Sequence, residues 1–188
     1  MDKDWNNSSN LHIKERDINI LQIIDEEELS NFTFEGLKRR LKIHPETLSR
    51  ILHRLEDQEI LQKDKNGYTL TAKAKKLIKS KPSDNNNPSI PLLQTFLPLE
   101  IPKTKIISNL KGKWFGNLRW LGWSETNEYL SLKWITEDGK NIISAIFSQE
   151  KLHIEAKTIL ENDLNGALNA SHQLMSYITK LISRTKHN

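Results

Sequence analysis

The sequence predicts an α+β fold. A helical N-terminal part closes on a short β-hairpin, and a C-terminal antiparallel β-meander is covered by one long final helix. Three observations predict this. Leu48, Ile51, Leu52 and Leu55 recur at i, i+3, i+4 and i+7, the stripe of a helix with one buried face. Asn66-Gly67 sits between two short apolar runs and supplies the positive φ angles of a tight hairpin turn. Past residue 103 the texture changes to tryptophans and alternating apolar residues, followed by an apolar stripe about five turns long.

Taken in order, Ile18, Leu21 and Ile24 at helical spacing mark a first helix from about Lys14 to Glu28. Thr33 can cap a second helix that carries Phe34, Leu37 and Leu41 on one face, weakened by Gly36. Pro45 suits the first turn of a third helix, where its missing N–H costs nothing. Ile60–Lys63 and Tyr68–Thr71 flank the turn, and Ala72–Ser80 reads as a lysine-rich helical segment. The stretch "KSKPSDNNNPSIP" has the composition of a connector, so the reading is a domain over 11–80, a linker over 81–91 and a second domain over 92–188.

In the second part, residues 103–157 suggest strands. "KWFGNLRWLGWSE" is apolar on both parities, which fits a strand covered on both sides or bulged near Gly116 or Gly122. "EYLSLKWI", "NIISAIF" and "KLHIEAK" follow, with Asp138-Gly139 as a turn signal, giving a meander of four or five strands. Leu164, Ala167, Leu168, Ser171, Leu174, Met175, Ile178, Leu181 and Ile182 line one face of the last helix, which Asn162 or Asp163 can cap. That face can cover the chain's own sheet, or form a seam with a second copy.

Composition narrows the function classes. The 188 residues are 36 % hydrophobic, with no cysteine and a net charge of +4. Disulfides and thiolate metal sites are excluded, no apolar run is long enough for a membrane span, and the polar start does not read as a secretory signal, so a cytoplasmic location is expected. The charge is uneven. Residues 14–32 hold two basic and six acidic side chains, residues 33–54 six and two, and residues 60–81 seven and one. A local basic footprint of this kind suits a polyanion. His153 and Glu155 share a strand face without a third ligand, and no phosphate-binding loop, dinucleotide fingerprint or nucleophile elbow occurs, so neither a cofactor nor an enzyme activity is expected.

The segment "LKIHPETLSRILHRLEDQEILQKDKNGYTLT" resembles the winged helix-turn-helix domain of transcription regulators such as the MarR and ArsR families, over about residues 13–80. His44 stands where Ser or Asp would be the stronger cap. The resemblance implies a recognition helix over about 45–59 and a wing over 60–71. The residues themselves point the same way. With the leucines inward, Thr47, Ser49, Arg50, His53 and Arg54 face outward on a helix sized for the major groove. Arg50 suits guanine, Arg54 a phosphate, and Arg39 and Arg40 the backbone beside the groove. Lys63, Lys65 and Asn66 place charge at the hairpin tip. Double-stranded DNA is therefore the expected partner, bound by a homodimer on half-sites about one helical turn apart. An alternative is a protein-interaction module within a larger complex. Trp114, Trp120, Trp123 and Trp134, with Arg119, form a second candidate site, an aromatic-lined cavity for an anionic or planar effector; filling the core of a small sheet domain is their other reading.

Overall fold

The computed structural model describes residues 13–78, 88–98, 100, 102–159 and 163–185. Residues 1–12, most of the expected linker and Asn162 lie outside the described residues.

The chain begins with α1 (Glu15–Glu26), which buries Ile20, Leu21 and Ile24. A two-residue strand, β1 (Asn31–Phe32), leads into α2 (Phe34–Leu41) and α3 (Pro45–Asp57). The Thr33 hydroxyl caps α2 by accepting from the Gly36 amide at 3.1 Å. Lys42 ends that helix in the left-handed conformation, φ 53°, and Pro45 opens α3. The hairpin follows as β2 (Leu61–Asp64) and β3 (Gly67–Leu70), then α4 (Ala72–Ile78). Leu48, Ile51, Leu52 and Leu55 join Ile24, Phe32, Leu37, Ile60 and Leu61 in one buried cluster.

The remainder comprises β4 (Ile90–Phe96), α5 (Lys103–Leu110), the meander β5 (Leu118–Glu125), β6 (Tyr129–Thr136), β7 (Asn141–Ser148) and β8 (Lys151–Thr158), and α6 (Leu164–Thr185). Asp163 caps α6, its carboxylate accepting from the Gly166 amide at 3.1 Å. The apolar face of α6, through Ala167, Ala170, Leu174 and Ile178, is buried against α5 and the meander with Leu132, Trp134, Ile143 and Phe147. That stripe therefore covers the chain's own sheet.

All eight strands belong to one sheet, in the order β2-β3-β1-β5-β6-β7-β8-β4. The two residues of β1 join its parts, pairing Asn31 with Thr69 on one side and with Trp123 on the other. The expected linker over 81–91 is described only from residue 88, and the sheet is shared across it. Gly122 permits the close approach, since a Cβ there would stand 2.9 Å from the Phe32 Cα and press on the Asn31 carbonyl. A register shift between Trp120 and Gly122 explains why both parities of β5 are apolar. Trp120 and Trp123 meet the α6 cluster, whereas Leu121 joins Ile135 and Ile142 in the cluster around α1, α2 and α3.

Four elements differ from the sequence reading, one of them β4, which begins inside the expected linker. Residues 103–110 are helical, not extended, because Ile106 and Leu110 lie one turn apart and bury together after Pro102. β1 is too short to show a period. The hairpin turns one residue earlier than Asn66-Gly67 suggests, because Asp64 pairs with Gly67 and leaves Lys65 and Asn66 at the tip. Gly67 is needed for its φ of 134°, with the Phe32 backbone against its Cα.

Candidate nucleic-acid interface

With its four apolar residues buried, α3 presents Glu46, Ser49, Arg50, His53 and Asp57 to solvent. Arg50 is 78 % exposed, and its one ion pair, to Glu46, is a loose 3.9 Å. His53 faces Asp57 at 4.0 Å in the same exposed manner. Thr47 is half-buried and Ser49 exposed. At the hairpin, Lys63, Lys65 and Asn66 are exposed, and the Asn66 amide donates to the Asp64 carboxylate at 2.6 Å, which tightens the tip. Tyr68 stacks on Phe32 with 5.8 Å between centroids, and Lys63 lies over the Tyr68 ring.

These two features border one open groove of about 540 Å³. Ser49 of α3, Lys63–Tyr68 of the hairpin, and Thr33, Phe34 and Glu35 at the start of α2 all line it. Gly112, Trp114 and Trp120 close the far side, which the sequence reading did not connect with the hairpin. The groove contains two carboxylates, both engaged: Glu35 pairs with Lys38 at 2.7 Å, and Asp64 holds the tip.

Two of the candidate arginines are held internally. The Arg54 Nε and Nη2 donate to the two oxygens of Asp17 at 3.0 and 2.5 Å, locking α3 to α1. Burial pushes the Asp17 carboxyl up, but the Arg54 guanidinium and the Lys14 amide outweigh it and hold it below its ordinary value. Arg40 donates through Nε and Nη2 to Glu27 at 2.9 and 2.7 Å. Lys157 of β8 reaches the second Glu27 oxygen at 3.2 Å. Arg39 folds back on the Glu35 carbonyl at 3.5 Å. The leucine spacing of α3 turns Arg54 to the helix edge, and only the packing of α1 reveals its partner. Arg40 and Arg54 are thereby engaged internally, Arg39 and Thr47 are half-buried, and the exposed members of the candidate set are Ser49, Arg50, His53, Lys63, Lys65 and Asn66.

The tryptophans separate. Trp134 is fully buried, its indole N–H donating to the Lys113 carbonyl at 2.8 Å, and Trp120 meets it edge-on at 5.3 Å. Trp123 lies under the Lys111 ammonium at 3.4 Å. Trp114 alone of the four is exposed, at 58 %. Arg119 lies 4.9 Å from its centroid and pairs with Glu137 at 2.9 Å. The groove beside the hairpin takes in Trp114 and Trp120 but neither Trp123 nor Trp134. Among the described residues, no group of three His, Cys, Asp or Glu could hold a metal ion, and no helix is long and apolar enough to cross a membrane.

No protein-family model matches the chain, and no curated protein matches it significantly.

Proposed function

We propose that the chain is a sequence-specific double-stranded DNA-binding transcription regulator, whose residues 13–78 form a winged helix-turn-helix similar to those of the MarR and ArsR families. α3 is the recognition helix and β2–β3 the wing. One observation carries this reading: Ser49, on the solvent face of α3, and Lys63–Tyr68 of the hairpin line a single open groove. Arg50 reaches a base edge, Ser49 and His53 flank it, and Lys63 and Lys65 rest on phosphates. The order α1-β1-α2-α3-β2-β3 and the strand neighbours β2-β3-β1 support the same assignment.

The proposal includes a homodimer. The edge strand β4, "IPLLQTF", carries no charge and exposes Ile90, Leu93 and Phe96, whereas the opposite edge β2 holds Lys63 and Asp64. An uncharged apolar edge pairs with its own copy without repulsion. Seven spacings of about 4.8 Å separate β2 from β4, so two copies joined at β4 hold their β2 strands up to about 70 Å apart. Half-sites about two helical turns apart then fit better than one.

The experiment is a gel shift on duplexes selected from a random DNA pool, at several salt concentrations. Arg50→Ala should lose about 1–3 kcal/mol of binding and relax specificity at one position. Equal affinity of wild type and variant for every selected duplex overturns the assignment of α3. A second reading, a protein-interaction module, is favoured by one observation: Glu46 and Asp57 offset Arg50 on the exposed face of α3. Failure of the wild-type chain to retain any duplex would decide for it.

A further inference from the structure

Trp114 is an exposed indole on a molecule whose other described tryptophans are wholly or partly covered. One ring face is occupied by the Arg119 guanidinium. Arg119 is itself fixed, donating to the Gly116 carbonyl at 2.7 Å and to Glu137 at 2.9 Å. Trp114 thus stands as a ridge between two clefts. On one side lies the groove that reaches the hairpin tip. On the other lies a second cleft of about 530 Å³, which α6 lines with His172, Gln173, Ser176 and Lys180. That cleft has no carboxylate in its lining, and Lys180 is exposed and in no ion pair given by the structure. Residues 102–119 add Lys103, Lys105, Lys111, Lys113 and Arg119 without one acidic residue.

We infer that the C-terminal part extends the DNA interface: the strand leaving the hairpin tip crosses Trp114, one base stacks on the indole, and Lys180 in the second cleft holds the next phosphate. This rests on the DNA-binding reading above. An aromatic face next to a cationic path accepts a base whatever its identity, because every base has a π face. A guanidinium behind the ring holds it at a fixed angle and strengthens the platform. In a duplex the contact requires a base step partly opened from the minor-groove side, where apolar wedges enter. Phosphates suit the second cleft because they meet Lys180 and His172 without an opposing carboxylate.

The test uses the full chain and a duplex recovered by selection from a random DNA pool, with 2-aminopurine placed at successive positions outside the α3 site. Trp114→Ala should weaken binding about 5- to 150-fold, the range given by base–aromatic stacking, without changing the salt dependence. Trp114→Phe should restore most of the affinity. Lys180→Ala should lower the slope of log K against log salt by about one. The 2-aminopurine signal should rise at one position with wild type and not with Trp114→Ala. Circular dichroism of all variants should match wild type, since both side chains are exposed. If wild type binds but Trp114→Ala and Lys180→Ala bind within twofold of it, the extension is overturned and the α3 assignment stands. If wild type retains no duplex, both fall.

Discussion

Replacing Arg54 by alanine separates the two roles that arginines play on α3. In the folded chain Arg54 makes two charged hydrogen bonds to Asp17, at 3.0 and 2.5 Å, and Asp17 is 1 % exposed. Truncation leaves that carboxylate, among the described residues, with one hydrogen bond, from the Lys14 amide at 3.1 Å. Removing one member of a buried pair costs about 3–5 kcal/mol. The Arg54 side chain is 28 % exposed, so water screens one flank and the lower end, about 3 kcal/mol, applies. For a chain of 188 residues, at about 2–4 °C per kcal/mol, Tm should fall by roughly 6–12 °C. Arg50→Ala should leave Tm within about 2 °C, since an exposed pair at 3.9 Å contributes under about 0.5 kcal/mol. The assay is thermal unfolding followed by circular dichroism, at neutral pH and along an acid series. Because the Asp17 carboxyl is held below its ordinary value of 3.8, the pair's contribution is complete above that pH. It disappears as pH falls through the lower folded value, so the gap between wild type and Arg54→Ala should close on acidification. An Arg54→Ala protein that melts within 2 °C of wild type at neutral pH would refute the assignment of Arg54 as a structural clamp.

Glu27→Ala should lower Tm by a similar amount, because it strips Arg40 and Lys157 of a shared carboxylate that is 2 % exposed; the same melting series checks it. Gly122→Ala should cost about 1–3 kcal/mol in urea unfolding, since both backbone contacts at that position belong to β1 and cannot move independently. Phe96→Lys, a change on the 68 % exposed residue of β4, should convert the proposed dimer to monomer in analytical ultracentrifugation with little change in Tm.

The elements with a strong period were legible in the sequence: α1, α2 and α3, the strands of the meander, and α6. Others lacked a signal of their own. β1 consists of Asn31 and Phe32, and its existence depends on edges offered by β3 and β5, one of them more than ninety residues away. The start of β4, Ile90 and Pro91, reads as the end of the connector, yet the strand completes the sheet beside β8. Of the candidate contacts, Ser49, Arg50, His53, Lys63, Lys65 and Asn66 followed from the leucine spacing and the turn, which fix direction. Arg40 and Arg54 could not be sorted this way. Their partners Glu27 and Asp17 lie just past the end of α1 and within it, and helical spacing is silent about which carboxylate meets which cation. The four tryptophans looked like one cluster because they are close in sequence. Pleat alternation, the shift at Leu121 and the loop at Trp114 send them to different places.

The end of α1 is fastened to the meander by two amines. The Lys133 ammonium donates to the Glu27 carbonyl at 2.6 Å, and that of Lys157 to the Glu26 carbonyl at 3.4 Å. Both sit where the helix terminus is negative and its carbonyls lack partners. With β1 hydrogen-bonded on both edges as well, the molecule has a weld at this point where many two-part proteins have a swivel. Tilting α3 would mean stripping two cations from their acceptors and unzipping a strand. Under the proposed function, control over what α3 touches would come from blocking its groove or from altering how two copies are spaced, since rotation of one half against the other is mechanically costly.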